Sequence, residues 1–109
     1  MYRDSDISEL IAYFVRRKDG FAYWKTSLVW LRLKTGHFED SLTLTVEYQQ
    51  RFDEKDSWSG TASTIAGFFP ELDVAKQWLQ SEEGFDKIDY CLRQLERISN
   101  KEPYEDWDW

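Results

Sequence analysis

The hydrophobic positions of this chain follow a helical period first. Residues 4–18 place apolar side chains at the spacing of one helix face: Ile7, Leu10, Ile11 and Phe14. Asp6, with Glu9 three residues later, matches a capping box, and Gly20 after a basic cluster is a typical helix stop. The pattern therefore predicts an N-terminal amphipathic helix.

The period then changes to that of a β-hairpin. Residues 26–34 and 42–49 flank a polar segment, Thr35-Gly36-His37, in which we place the turn. Apolar and polar residues alternate strictly in the second segment, so one face of that strand is expected to be buried. Pairing Leu33 with Leu42 brings the Leu and Val side chains of both strands onto one face.

The predicted hairpin also has a second apolar side. In this register Trp24, Leu28 and Trp30 share the opposite face, against Arg, Glu and Thr side chains of the other strand. Two interpretations stay open. Either the protein's own helices cover these three side chains, or they form a contact surface, because Trp side chains bury a large area at low entropic cost and are enriched in interface hot spots.

A polar segment separates the hairpin from the C-terminal half. Residues 53–63 are rich in charged residues, Ser and Gly, and predict a loop whose one large apolar side chain is Trp58. A short third strand around residues 58–65 is the alternative, because several of these residues are β-branched.

Two helices are predicted to follow. Pro70 suits the first position of a helix that runs to about Gln80, and Ser81 can cap a second helix that continues through Ser99. Gly84 either marks the break between the two or weakens the start of the second. The second helix has a long apolar stripe: Phe85, Ile88, Cys91, Leu92, Leu95 and Ile98.

These elements predict a single α+β domain over residues 1–109, with an N-terminal helix, an antiparallel hairpin or three strands, and two C-terminal helices packed on the sheet. A two-stranded hairpin is unstable alone in water, so helices must cover at least one face. About residues 100–109 predict an acidic-aromatic tail. Neither a bilayer-spanning apolar run nor a secretory signal is present, so cytoplasmic residence is expected.

Charge narrows the choice of partner. The formal net charge is −7, and the acidity is concentrated after Arg51, where fourteen acidic residues stand against six basic ones. A field of this sign repels nucleic acid and anionic membranes and speeds association with basic proteins. A nucleic-acid stacking platform of Trp24, Trp30, Arg32 and Arg51 is therefore disfavoured.

Catalytic and cofactor signatures are missing from the sequence. His37 is the only histidine and is interpreted as a solvated turn residue; Cys91 is the only cysteine and is expected to be buried and inert. The five glycines are too far apart for a phosphate-binding loop. We therefore expect a protein that is not an enzyme and has neither cofactor nor metal.

The leading hypothesis is an inhibitor or immunity-type protein that neutralises a basic partner, either a toxin nuclease or another nucleic-acid-handling protein, with nucleic-acid mimicry as a variant. The alternative is a small structural or adaptor subunit that forms a homodimer or docks into a larger assembly through the surface of Trp24, Leu28 and Trp30. The predicted partner-binding residues combine acidic and apolar side chains: Trp24, Leu28, Trp30, Asp53, Glu54, Asp56, Trp58, Glu82, Glu83, Asp86, Asp89, Glu105, Asp106, Trp107, Asp108 and Trp109.

Overall fold

The computed structural model describes residues 2–100 and shows an α+β fold. Along the chain, one N-terminal helix is followed by four consecutive strands and then by two C-terminal helices. The elements are α1 (Asp4–Arg16), β1 (Phe21–Lys25), β2 (Val29–Phe38), β3 (Ser41–Gln50), β4 (Ala62–Phe69), α2 (Leu72–Leu79) and α3 (Glu82–Asn100). The strands form one antiparallel sheet in the order β1-β2-β3-β4. The predicted fold class is confirmed, but the sheet has four strands where we expected two or three.

Helices cover one face of this sheet. α1 packs over β1 and β2, and α3 packs over β3 and β4. The buried apolar side chains of the strands belong to the covered face: Ala22, Val29, Leu31, Leu33, Leu44, Val46, Tyr48 and Ala66. The predicted helix stripes complete the core, and residues such as Phe14, Ile88 and Leu92 are fully buried. Ile98, the last residue of the stripe predicted for the second C-terminal helix, is instead exposed.

The predicted turn at Thr35-Gly36-His37 is wrong. β2 continues through Phe38, and the chain reverses at Glu39 and Asp40, where Glu39 has a left-handed φ of 56°. A Gly-containing polar triplet is a strong turn signal, whereas a Glu at positive φ gives none.

The register of β2 and β3 is therefore also different from the predicted one. Leu33 lies opposite Val46, four residues beyond the predicted partner Leu42. Because four is an even number, the shift leaves every side chain of these two strands on its predicted face. The Leu and Val face is thus the core face, as expected.

Two strands lie outside the predicted hairpin. β1 has only five residues, too few for a clear two-residue period. β4 begins within the alternative third strand but extends through Phe69, and Ala66 forms a bulge because Thr45 pairs with Ile65 while Leu44 pairs with Gly67. That extra residue interrupts the alternation in the sequence.

Both C-terminal helices are present. α2 begins at Leu72, so Pro70 precedes the helix and is not its first residue. The predicted Ser81 cap is confirmed, since the Gly84 backbone N–H donates to Ser81 Oγ at 3.1 Å. Gly84 serves a different purpose from the two that we considered: a Cβ at this position would lie 1.9 Å from the carbonyl oxygen of Trp78, so glycine allows α3 to start close against the end of α2.

α1 also begins slightly differently from the prediction. The Asp6 carboxylate accepts a hydrogen bond of 2.7 Å from the backbone N–H of Arg3, so the cap lies one turn earlier than the predicted Asp6–Glu9 pair. The predicted tail lies outside the described residues, apart from Asn100, which ends α3.

We expect Gly84→Ala to lower the free energy of unfolding by about 1–3 kcal/mol, because the new methyl group must displace the backbone of Trp78. Gly60→Ala is the matched control: nothing lies within 4 Å of a Cβ there, and we expect a change within about 0.5 kcal/mol. Urea unfolding of both variants checks this. Equal stability of the two variants would contradict the proposed close contact.

Candidate functional site

The predicted shared surface of Trp24, Leu28 and Trp30 does not exist. Trp24 lies opposite Leu31 and therefore on the core face, whereas Trp30 lies opposite Lys25 and Gln49 on the uncovered face. The prediction failed because it continued one strand period through residues 24–30, whereas in the structure this stretch turns from β1 into β2.

Trp24 is held by α1. Its Nε1–H donates to Asp6 Oδ1 at 2.9 Å, and its indole stacks on the ring of Tyr13 with centroids 5.8 Å apart. Leu28, between β1 and β2, is half-buried against the core. Of the two interpretations left open by the sequence, cover by the protein's own helix is therefore the one that describes Trp24.

Trp30 and Trp58, in contrast, meet on the uncovered face. Their ring centroids are 6.2 Å apart in an edge-to-face arrangement, and the ring of Tyr23 also contacts Trp30, with centroids 6.0 Å apart. The loop that we predicted for residues 53–63 thus brings Trp58 back onto the sheet. Tyr23 was missed because β1 was missed.

Cationic side chains cover these indoles. Lys25 Nζ lies 4.7 Å from the ring centroid of Trp30 and 5.2 Å from that of Trp58, and the guanidinium of Arg51 lies 4.6 Å above Trp58. Arg32 stacks on Trp30 at 4.6 Å. Each of these cation–π contacts places a cation against an indole ring of the cluster.

A nearly buried ion pair lies next to this cluster. Arg32 Nε donates to Glu47 Oε1 at 2.9 Å, Lys34 Nζ lies 3.0 Å from Glu47 Oε2, and Arg32 also reaches Thr61 Oγ1 at 3.3 Å. Burial by itself would raise the pKa of Glu47, but the hydrogen bonds from Lys34 and Arg32 outweigh it and lower the pKa below its ordinary value of 4.5. Glu47 is therefore a structural carboxylate that ties β2 to β3.

The acidic residues of the predicted site form two separate groups. Asp53, Glu54 and Asp56 are exposed in the loop after β3, and Glu82, Glu83 and Asp86 are exposed at the start of α3. The Gln50 side chain donates to Asn100 Oδ1, which brings the end of β3 to the end of α3. Because a helix of 19 residues spans about 28 Å, the loop group and the α3 group lie at opposite ends of the molecule.

Asp89 differs from its acidic neighbours because it has a partner. Arg93 Nε lies 3.0 Å from Asp89 Oδ1, the i, i+4 ion pair suggested by the sequence. The predicted sites Glu105, Asp106, Trp107, Asp108 and Trp109 lie outside the described residues. For all the predicted residues, the role in partner binding stays a prediction.

An open groove of about 600 Å³ adjoins the α3 group, between α1 and the junction of α2 with α3. Its walls are mainly apolar, and they carry one charge of each sign, from Arg16 and Glu82. The apolar lining comprises Ile11, Ala12, Val15, Leu79 and Phe85. The sequence predicts most of these residues as helix stripe, but only the packing of α1 against the α2–α3 junction shows that part of the stripe stays uncovered.

The other sequence candidates have structural explanations. His37 lies in β2 and is exposed, while Cys91 is buried in the core, where burial raises the pKa of its thiol. Within residues 2–100, no three His, Cys, Asp or Glu side chains are grouped so that they could hold a metal ion. None of the three described helices is both long and apolar enough to cross a membrane.

Comparison of the chain with protein-family models, with curated proteins and with solved structures finds no match.

Replacing Glu47 by Gln should lower the free energy of unfolding at pH 7 by about 1–3 kcal/mol, because Arg32 then loses its charged acceptor. Since the pKa of Glu47 is lower in the folded state than in the unfolded chain, its stabilising contribution is complete above pH 4.5 and is lost as the pH falls through the folded value. The difference between wild type and variant should therefore shrink at pH 3.

Denaturant unfolding at pH 7 and pH 3 measures this difference. Glu54→Gln removes a carboxylate from an exposed loop position and is the control, with no change in stability expected at pH 7. A Glu47→Gln effect of equal size at both pH values would contradict the ion pair as its cause.

Proposed function

We propose that this protein is a non-enzymatic inhibitor or immunity-type protein that binds a basic partner through the start of α3 and the groove beside it. The partner is a toxin nuclease or another nucleic-acid-handling protein of the cytoplasm. One observation carries the proposal: the carboxylates of Glu82, Glu83 and Asp86 are exposed at the start of α3, where Glu82 lines an open apolar groove, and no cation of residues 2–100 pairs with them within 4.0 Å.

The position of these carboxylates is only partly explained by the helix. Glu82 and Glu83 lie in the first turn of α3, where the helix dipole favours negative charge. Asp86 lies beyond that turn, four residues after Glu82, and like charges at this spacing destabilise a helix by about 0.2–0.5 kcal/mol. A cation from a partner relieves this repulsion, whereas within the free protein the cost remains.

The groove can supply binding affinity, which the carboxylates alone cannot. Carboxylates steer a basic protein and speed its encounter, but affinity comes mostly from a few large side chains that fill desolvated pockets. Phe85 contributes to the groove wall, and Glu82 is part of the lining. An aromatic or aliphatic side chain of the partner, flanked by Lys or Arg, therefore fits this site better than a purely cationic surface does.

The same arrangement can mask the partner's nucleic-acid site. If the cations that pair with Glu82 and Asp86 are those with which the partner holds nucleic acid, the complex leaves the partner without its substrate site. Nucleic-acid mimicry is the variant in which the carboxylates occupy the phosphate positions. The alternative of an adaptor subunit that uses Trp24 and Trp30 together has lost its geometric basis, because the two side chains lie on opposite faces.

The proposal predicts a basic partner that can be captured. Immobilised protein should retain, from its native lysate at low salt, a protein of high pI whose activity on nucleic acid falls in proportion to the amount of this chain added. Recovery of an acidic protein, or of a basic protein whose activity on nucleic acid is unchanged, would contradict the inhibitor proposal.

Charge reversal at the start of α3 should slow binding to that partner. We expect E82K/E83K/D86K to lower the association rate about tenfold or more at low salt, with the difference shrinking at high salt. The control is D53K/E54K/D56K. It changes the net charge from −7 to −1, as the first variant does, but its substitutions lie at the opposite end of the molecule. Equal slowing by both variants in stopped-flow or surface-binding measurements would show net charge, not this site, to be responsible.

A further inference from the structure

β4 is an edge strand without charge. It is the last strand of the sheet, and the 14 residues from Ser57 to Pro70, between Asp56 and Glu71, include no Asp, Glu, Lys or Arg. Natural proteins commonly protect an exposed edge with charged side chains, because its unpaired backbone groups otherwise accept another strand. β1, at the other edge, is shorter and carries Lys25.

The outer side of β4 is also unpaired. An antiparallel edge strand directs about half of its N–H and C=O groups away from the sheet. In the part of the chain that the structure describes, no loop, helix or side chain forms a hydrogen bond to the backbone of residues 62–69, so β3 is its only backbone partner. The strand therefore presents free donors and acceptors in a row.

The side chains of β4 add an apolar surface to this edge. Ile65 is 49 % exposed and Phe68 is 54 % exposed, both on the face that the helices leave uncovered. The bulge at Ala66 and Pro70 at the end of the strand disturb its second half, since bulges and prolines interrupt pairing. The regular part that is free to pair is residues 62–65.

We propose that β4 pairs antiparallel with β4 of a second copy of this chain, which joins two sheets into one of eight strands. An uncharged strand places no like charges opposite each other when it meets its own copy, whereas the exposed carboxylates at the start of α3 would repel theirs. The two-fold axis of such a pairing is perpendicular to the sheet. This symmetry keeps the helices of both copies on one face of the joined sheet. On the opposite face it brings the two Ile65 side chains near each other.

This inference does not rest on the inhibitor proposal, since the edge of β4 is separate from the groove and from the start of α3. Self-association was the alternative expected from the sequence. This inference assigns it to the edge of β4 and not to the surface of Trp24, Leu28 and Trp30. The interface uses backbone hydrogen bonds and a few apolar side chains, so it is small, and the dimer should dissociate on dilution.

Sedimentation equilibrium of the full chain tests the proposal. The average mass should rise from 13.1 kDa toward twice that value as the protein concentration increases, and added salt should strengthen the dimer because it screens the net charge. Ile65→Lys should abolish the rise, since it places two lysines near the axis. Tyr23→Lys is the control: it is equally exposed, lies on the other edge strand and changes the net charge by the same amount.

A second measurement covers the case in which Ile65→Lys fails to fold. Ser63→Cys is exposed near the axis, and the one natural cysteine, Cys91, is buried, so oxidation should link Ser63→Cys into a disulfide dimer at least tenfold faster than Tyr23→Cys. Equal linking rates would overturn the proposal. So would a mass that stays at 13.1 kDa up to about millimolar concentration, and the edge would then be open to a strand from a different protein.

Discussion

One-sided burial of the sheet determines most of this structure. α1 and α3 both pack on the same face of four consecutive antiparallel strands, so every strand must bury one parity of its side chains and leave the other uncovered. The junction of α2 with α3 completes the helical layer, and Gly84 allows the close approach that this junction requires. A helix on the other face would demand a different pattern in every strand.

The side chains of the uncovered face are held by cation–π contacts and ion pairs, and not by a second layer of helices. Lys25 lies against both Trp30 and Trp58, and Glu47 holds Arg32 and Lys34 across the strands. These contacts pack cations against large aromatic side chains on the sheet. Four cations, Lys25, Arg32, Lys34 and Arg51, thus lie on or beside the sheet, while the exposed carboxylates at the start of α3 lie in the helical layer. The net charge of −7 is therefore not spread evenly.

Periodicity was sufficient to predict the helices and the core face, because the 3.6-residue and two-residue repeats are imposed by burial itself. It could not predict the register: the true turn has Glu39 at positive φ and no glycine, and the false one contains Gly36. For the site, exposure of the acidic residues was predictable from their surroundings in the sequence. Their division into two groups, and the groove next to Glu82, depend on how α3 lies along the sheet, which no local pattern contains.

The central claim is that the partner binds at the start of α3 and in the groove beside it. Hydrogen exchange of the protein, alone and in complex with the partner captured from its lysate, tests this claim most directly. Slower exchange of the backbone amides at residues 80–85 is the predicted result, above all at Glu82 and Glu83, whose N–H groups form no hydrogen bond within the described residues. Protection confined to β1, β2 and the loop at residues 53–58, with the α2–α3 junction unchanged, would contradict it.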